Sequence, residues 1–365
     1  MKRKNLWGAA GIVVFLWFAA GLGTASEVSE VQRAIQQQGL NWVAGETSMT
    51  RLSPAERKAR LGLLPPRLKL EGAGIFAGAP PALALPASLD WRNNGGDYVT
   101  FVKDQGNCGS CWAFAAAGAL ESYTMIQNKT PGAELSLSDQ VLVSCCLECS
   151  EWQGGCNGGW IHIAAEFARA RGLPKENCYK YTGGNGSCGK ACANWQDQAY
   201  RIGDWNWVTE PDRPSNVEAL KAALVQYGPL AVAFAVYDDF FSYKYGVYSR
   251  SAGSYLAGYH AVLLVGYDDK AKAFIVKNSW GTSWGWMGYF NISYDTVTDC
   301  RGDLTDPKNS SPGVCFGYES IAYSAVPFPG KATSVSAANY TGLELARDSI
   351  CSAFGSSLAT GTRSE

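Results

Sequence analysis

Histidine is nearly absent from this 365-residue chain, which holds only His162 and His260. That scarcity excludes a His-rich metal site and leaves few groups able to act as a base near neutral pH. An excess of charge of either sign is also missing. Lys and Arg number 31 against 32 Asp and Glu, a net charge of −1, so no basic field exists to attract a nucleic-acid backbone, and nucleic acid is not an expected partner. Charged residues make up only 17% of the chain, against 47% hydrophobic and 12% aromatic. That balance excludes a disordered chain and provides for one large core or two modest ones.

A second long apolar run is lacking too. The one present, residues 6–20, follows Lys2, Arg3 and Lys4 and precedes the small residues 21–26, the three-part layout of a secretory signal over 1–25 with cleavage expected after Ala25. The alternative is an uncleaved anchor, because the stretch to Gly23 approaches the ~18 residues a membrane span needs. With the signal removed, no membrane association is expected. The destination is extracytoplasmic: extracellular, periplasmic or lysosome-like.

Residues 27–64 are polar and helix-prone, with VQRAIQQQGLNWVAGE followed by SPAERKARLGLL, where Pro54 suits a first helical position. The stretch 65–86, PPRLKLEGAGIFAGAPPALALP, reads as an exposed linker open to proteases. Together 26–84 suggest a removable pro-segment, with a small N-terminal subdomain as the alternative. Residues 89–194 hold nine of the twelve cysteines and the helical stretch CWAFAAAGALESYTMIQ, which places Trp112, Ala116, Leu120 and Tyr123 on one face. Residues 200–323 instead carry strand-like runs, GPLAVAFAVY, HAVLLVGYD, KAFIVKNSW and GYFNISY, with one helix at 216–227. Two halves of different class, about 85–199 and 200–323, imply an active cleft between them. A Ser/Ala/Gly/Thr-rich tail, 324–365, reads as low-complexity linker.

Twelve cysteines behind an export signal read as a disulfide framework. Setting aside Cys351 in the tail leaves eleven, an odd number, so one thiol lacks a partner and becomes a candidate nucleophile. In QGNCGSCW, Cys111 stands at the start of the helical stretch, where the helix dipole favours a thiolate. Further along come His260 in GYHA and Asn278 in NSWG. Nucleophilic chemistry by such a trio needs an imidazole beside the sulfur and an amide to orient the ring. Cys108-Gly109-Ser110-Cys111 is also a C-x-x-C, the signature of a thiol-disulfide exchanger. SCCLECSEWQGGC suggests a zinc knuckle, although a secreted chain would oxidise such ligands.

The segments QGNCGSCWAFA, GCNGGW, GYHAVLLVGY and NSWGTSWGWMGYF together resemble the papain-like cysteine peptidases over roughly 85–323. The resemblance implies an α+β, papain-like two-subdomain fold, with a helical left half, an antiparallel β-barrel-like right half and the active cleft between them. It makes Cys111 the nucleophile, His260 its acid/base partner, Asn278 the residue that orients the imidazole and Trp280 the shield over that contact. Gln105 becomes the oxyanion donor, which has independent sense because a neutral amide stabilises an oxyanion without quenching a thiolate. SCCLEC, GPLAVAFAVYDDFFSYKYGVY and NWVAGE point to the cathepsin B-like branch. That branch owes its carboxydipeptidase activity to a loop bearing paired histidines, whereas CYKYTGGNGSCGKAC here has none. An endopeptidase with an open cleft is therefore expected.

By the same resemblance Cys108 pairs with Cys156, Cys145 with Cys188, Cys146 with Cys149, and Cys178 with Cys192. Elimination then leaves Cys300 with Cys315. Gly158 and Gly159, ordinary turn glycines on the plainest reading, would form a backbone edge that holds extended substrate. Trp160, Ile161, Ala233, Ala261 and Ser320 would line the pocket for the side chain two residues before the cleaved bond and favour hydrophobic residues. A register slip of one would bring Glu319, and an arginine preference, into that pocket. His162 reads as a structural or cleft-wall residue.

The expectation is a secreted, zymogen-type, monomeric cysteine endopeptidase. It would act on protein or peptide substrates, be inhibited by its own pro-segment, and need no metal or organic cofactor. A catalytically silent homologue and an acyl transferase remain as alternatives, separable by product analysis.

Overall fold

The computed structural model describes residues 18–64, 85–150, 155–209, 214–302, 309–325, 333–336 and 351–354. Most of the expected signal and nearly all of the 65–86 linker lie outside them. Among the described residues no helix is long and apolar enough to cross a membrane.

The first helix, α1 (Phe18–Gln38), ends where Gly39 turns into positive φ. NWVAGE, expected to extend the helical stretch, is instead strand β1 (Trp42–Ala44), because Trp42 finds an aromatic shelf on the far side of the fold. Its ring lies 5.2 Å from that of Tyr248 and 6.1 Å from that of Tyr243. Helix α2 (Pro54–Lys58) begins with a reciprocal cap, Ser53 accepting from the Glu56 N–H and Glu56 from the Ser53 N–H. Arg57 locks this segment from within. Its guanidinium pairs with Glu27, donates to the carbonyls of Met49, Leu52 and Thr50, and lies 5.6 Å over the Phe241 ring.

After β2 (Ser88–Asp90) comes α3 (Cys111–Asn128), an Ala-rich run of high helix propensity that stops where Lys129 enters the left-handed region. A one-sided apolar face is expected from the sequence, but residues 111–125 are buried all round. The helix passes through the middle of the molecule, with α4 (Asp139–Cys145) and α5 (Ile161–Ala170) on one side and the sheet on the other. Gly118 brings it close to the sheet, since a Cβ there would lie 3.3 Å from Leu263.

The sheet is built from β3 (Asp204–Thr209), β4 (Leu230–Tyr237), β5 (Tyr243–Tyr248), β6 (Leu256–Asp268), β7 (Ala273–Lys277), β8 (Tyr289–Ser293) and β9 (Ser320–Ser324). Its order is β1-β5-β8-β7-β6-β4-β9-β3, with β2 also paired to β6. This corrects two expectations. The sheet is open, its end strands β1 and β3 unpaired with each other, and the β5–β8 pairing is parallel, so the right half is neither a closed barrel nor wholly antiparallel. The N-terminal segment supplies one edge strand of the sheet. Two short helices, α6 (Val217–Tyr227, capped by Asn216) and α7 (Asp295–Thr298), complete this half.

The described residues contain the disulfides Cys108–Cys156, Cys145–Cys188, Cys146–Cys149, Cys178–Cys192 and Cys300–Cys315. The tail, read as linker, carries a two-stranded antiparallel pair, β10 (Thr333–Ser336) and β11 (Cys351–Phe354).

Candidate active site

Cys111 occupies the first turn of α3, fully buried, with its thiol outside every disulfide. α3 packs on β6, which carries His260, while Asn278 directly follows β7. The Asn278 Oδ1 lies 2.8 Å from His260 Nε2 and also accepts the Ser279 N–H at 2.8 Å. The backbone donor fixes that atom as the oxygen, so Nε2 carries the ring proton and Nδ1 the lone pair. That lone pair has no hydrogen-bond partner among the described residues. Trp280 covers the arrangement, its ring centroid 4.7 Å from that of the imidazole, and is itself walled in by Phe240, Phe241 and Trp284.

Gln105 is tied to the same loop. Its main-chain N–H donates to the Ser279 carbonyl at 2.9 Å, and its Oε1 accepts from Ser279 Oγ at 2.7 Å. Both amide protons are spoken for: Nε2 donates to the Cys108 carbonyl at 2.7 Å and to the Arg60 carbonyl at 2.9 Å. Arg60 belongs to the N-terminal segment, which runs along the cleft floor. The Gly62 carbonyl accepts from the Gly159 N–H at 2.9 Å, Leu64 N–H donates to Gly159 O, and Leu63 N–H donates to Tyr259 O. Leu63 and Gly159 form a parallel bridge. Leu61 lies against Gly258 and Leu64 against Gly158, both positive-φ glycines where an added Cβ would meet those leucines at 3.1 and 2.9 Å. Gly62 fits more closely still, since a Cβ on it would lie 1.8 Å from the Gly109 carbonyl oxygen.

Burial sets the protonation of the pair. Burial pushes the Cys111 thiol up to about 11, although backbone groups of Ala261 and Gly62 favour its anion. Burial brings the His260 imidazolium down to about 4, opposed by the bond to Asn278. With the segment in place both groups are therefore held neutral.

The residues expected to line the substrate pocket lie on β4, β6 and β9 and at the start of α5. Ala233 and Ala261 are register partners on β4 and β6, Ser320 faces Val232, and Trp160 caps α5 ahead of Ile161, all of them buried. Sequence reasoning underweighted the two residues before Ser320. Tyr318 is buried within electrostatic reach of Cys111, Tyr259 and Glu319. The Glu319 carboxyl is fully buried with neither oxygen bonded among the described residues, and burial pushes it up to about 8. His162 stands on α5 between Trp160 and Trp207, 5.3 Å from the latter ring.

Two further supports went unread. Tyr181 donates its hydroxyl to the Gln105 carbonyl at 2.7 Å and bonds Ser110 Oγ at 2.7 Å, bracing Gln105 and the residue before Cys111. Behind Asn278, Lys277 is buried and reaches Thr100 Oγ1 at 3.0 Å, and Thr100 in turn bonds Glu121. Lys103 joins Glu121 and Asp139 at 2.9 and 2.8 Å. None of these polar pairs shares a short sequence motif, so only the fold could reveal them.

Pro-cathepsin H of Medicago truncatula is 42% identical over 215 residues, 58% of this chain and 57% of that protein. Procathepsin L of Mus musculus is 38% identical over 231 residues, 60% and 64% of the two chains. A cathepsin B-like CP3 of Giardia intestinalis is 35% identical over 235 residues, 62% and 75%. The chain thus spans less than two thirds of the length of the first curated relatives it matches. Among solved structures, digestive procathepsin L2 from Tenebrio molitor superposes with a TM-score of 0.66 at 30% identity, covering 83% of this chain and 90% of that one. Procathepsin B S9 from Trypanosoma congolense gives 0.64 at 25% identity over 81% and 97%. With the sequence model of the papain family cysteine proteases matching residues 85–305, the chain belongs to that family.

Proposed function

We propose that the protein is an exported, zymogen-type cysteine endopeptidase, with residues 26–84 as its removable inhibitor. The observation that carries this is the N-terminal segment lying across Gln105, Cys111 and Gly159 and using the main-chain groups an extended substrate would use. The procathepsin names of the relatives support the same reading. Once the segment leaves, Gln105 regains an amide donor and the pair regains access to water.

His260 Nδ1 then takes the Cys111 proton, and the thiolate attacks the substrate carbonyl. Gln105 and the Cys111 main-chain N–H hold the resulting oxyanion. The tetrahedral adduct collapses as His260 returns its proton to the departing amine, leaving a thioester. A water molecule, deprotonated by the same imidazole, attacks the thioester carbonyl and releases the acid, restoring the thiol. Asn278 keeps the ring in the tautomer this cycle needs, and Trp280 keeps water from competing for that bond.

The cleft walls support hydrophobic selection two residues before the cut, through Trp160, Ile161, Ala233 and Ala261. Glu319 fits that selection because a carboxyl pushed up to about 8 is neutral at acid pH. A segment 178–192 without histidine leaves the cleft unblocked for internal cleavage. The test is to treat acid-incubated protein with an irreversible thiol-directed peptidase inhibitor and map the adduct and the new N-terminus by mass. A single adduct on Cys111 with the N-terminus moved into 65–86 is expected. No adduct, or one elsewhere with the segment intact, would sink the proposal and leave the silent-homologue reading. Parallel peptides with Phe or Arg two residues before the bond report the pocket.

A further inference from the structure

Away from the cleft floor, a concavity of about 280 Å³ opens on the helical half. Phe101, Phe114 and Tyr181 form aromatic walls, and Ser136, Asp139 and Glu176 supply its polar side together with Lys103. The size lies just below the range of small-ligand pockets, about 300 Å³ and upward.

Its polar side is short of donors. Asp139 is 1% exposed; its Oδ2 accepts from Lys103 at 2.8 Å, whereas its Oδ1 has no partner among the described residues. Glu176 Oε1 accepts the Tyr181 N–H at 2.7 Å, whereas its buried Oε2 has no such partner, and neither has Ser136 Oγ. Lys103 cannot serve them further. Its three donors are committed to Glu121, Asp139 and the Leu137 carbonyl. Buried carboxylate oxygens without donors cost stability, and a donor-bearing cation entering here would relieve that cost. Burial pushes Asp139 up to about 7 against the pull of Lys103, and it raises Glu176 as well.

We infer that this cavity binds a primary ammonium group on a short apolar stem. Three N–H donors match the three open acceptors, Asp139 Oδ1, Glu176 Oε2 and Ser136 Oγ, while the stem lies against Phe101 and the Phe114–Tyr181 pair. The two latter rings meet edge to face with centroids 4.8 Å apart, and Phe101 is 64% exposed at the rim. A metal ion suits the cavity less well, because no group of three metal-capable side chains occurs among the described residues. Tyr181 connects the cavity to Gln105 and Ser110, so its occupant touches the ring that braces the oxyanion residue.

The test is titration of the full-length protein near neutral pH, at matched ionic strength, by calorimetry and saturation-transfer NMR. The probes are n-butylammonium and Nα-acetyl-lysine methylamide, with n-butyltrimethylammonium as a cation without N–H donors. Saturable butylammonium binding is expected, about tenfold weaker in Glu176→Gln and lost for the trimethylated probe. The amide oxygen introduced by that substitution would still accept the Tyr181 N–H, which preserves the local fold. Phe101→Ala, at an exposed position, should weaken binding about threefold. Binding of the lysine derivative too would point to lysyl side chains as a source, and binding of butylammonium alone to free amines. Absence of saturation by either amine, equal affinity in Glu176→Gln, or equal binding of the trimethylated probe would overturn the inference.

Discussion

At the scale of single residues, the proposed mechanism gives Gln105 two states with opposite consequences. In the covered cleft its amide donates to a carbonyl of its own chain, Arg60, so no donor is left for a reacting oxygen. In the open cleft the same proton would meet charge that develops only during attack, where a preorganised donor counts most. Gln105→Ala should therefore lower kcat of the processed enzyme about 100-fold with little change in KM. Steady-state kinetics on one peptide substrate would check it, and a loss confined to KM would mean that Gln105 serves ground-state binding instead. Cys111, His260, Asn278 and Gln105 could be picked out as candidates in the sequence because each lies in a short run of distinctive neighbours. Tyr181, Tyr318 and Lys277 were not, because what makes each matter is a partner or a burial that only the folded chain supplies, and Glu319 entered the sequence reading only through a register slip.

At the scale of elements, the decisive contact lies between two glycines on different segments. Gly62 crosses above Gly109 so closely that a methyl group would overlap the Gly109 carbonyl, and the chain on either side is pinned by hydrogen bonds to Tyr259 and Gly159. Gly62→Ala thus cannot be absorbed by a rotamer change. The segment must lift away from Cys111 or strain the Gly109 turn, which the Cys108–Cys156 disulfide restrains. Overpacking of this kind typically costs about 1–3 kcal/mol, so alkylation of Cys111 in the uncleaved chain should speed up at least about fivefold. The rest of the segment should stay docked through Arg57 and β1, which a single cooperative thermal transition, lowered by a few degrees at most, would show. An alkylation rate equal to wild type would mean that the segment does not cover the thiol in solution. The strand-like runs and the helix at 216–227 could be read from the residue types and turn signals of the sequence. The open sheet could not, because its outer strand comes from the N-terminal segment and its parallel pairing joins β5 to β8 across two intervening strands.

At the scale of the whole molecule, segment docking and protonation are linked. The covered state holds His260 at about 4, below its ordinary 6.5, and Cys111 at about 11, above its ordinary 9.0. Burial is the main cause of both shifts, so uncovering the cleft returns each group toward its ordinary value. The signs then follow from proton counting. Below 6.5 the uncovered imidazole takes up a proton that the covered one refuses, so docking is fully favoured above 6.5 and weakens as pH falls toward 4. Above 9.0 the uncovered thiol releases a proton that the covered one keeps, so docking weakens again as pH rises toward 11. Each unit inside either window is worth at most about 1.4 kcal/mol, or about tenfold in the docking equilibrium. Full-length protein should therefore react slowest with a thiol reagent, after correction for the reagent's own pH dependence, between 6.5 and 9.0. His260→Gln should abolish the acid limb of that profile and leave the alkaline limb in place. A flat profile in the wild-type chain would mean that docking is indifferent to the charge of the pair, and that release of the segment depends on proteolysis within 65–86 alone.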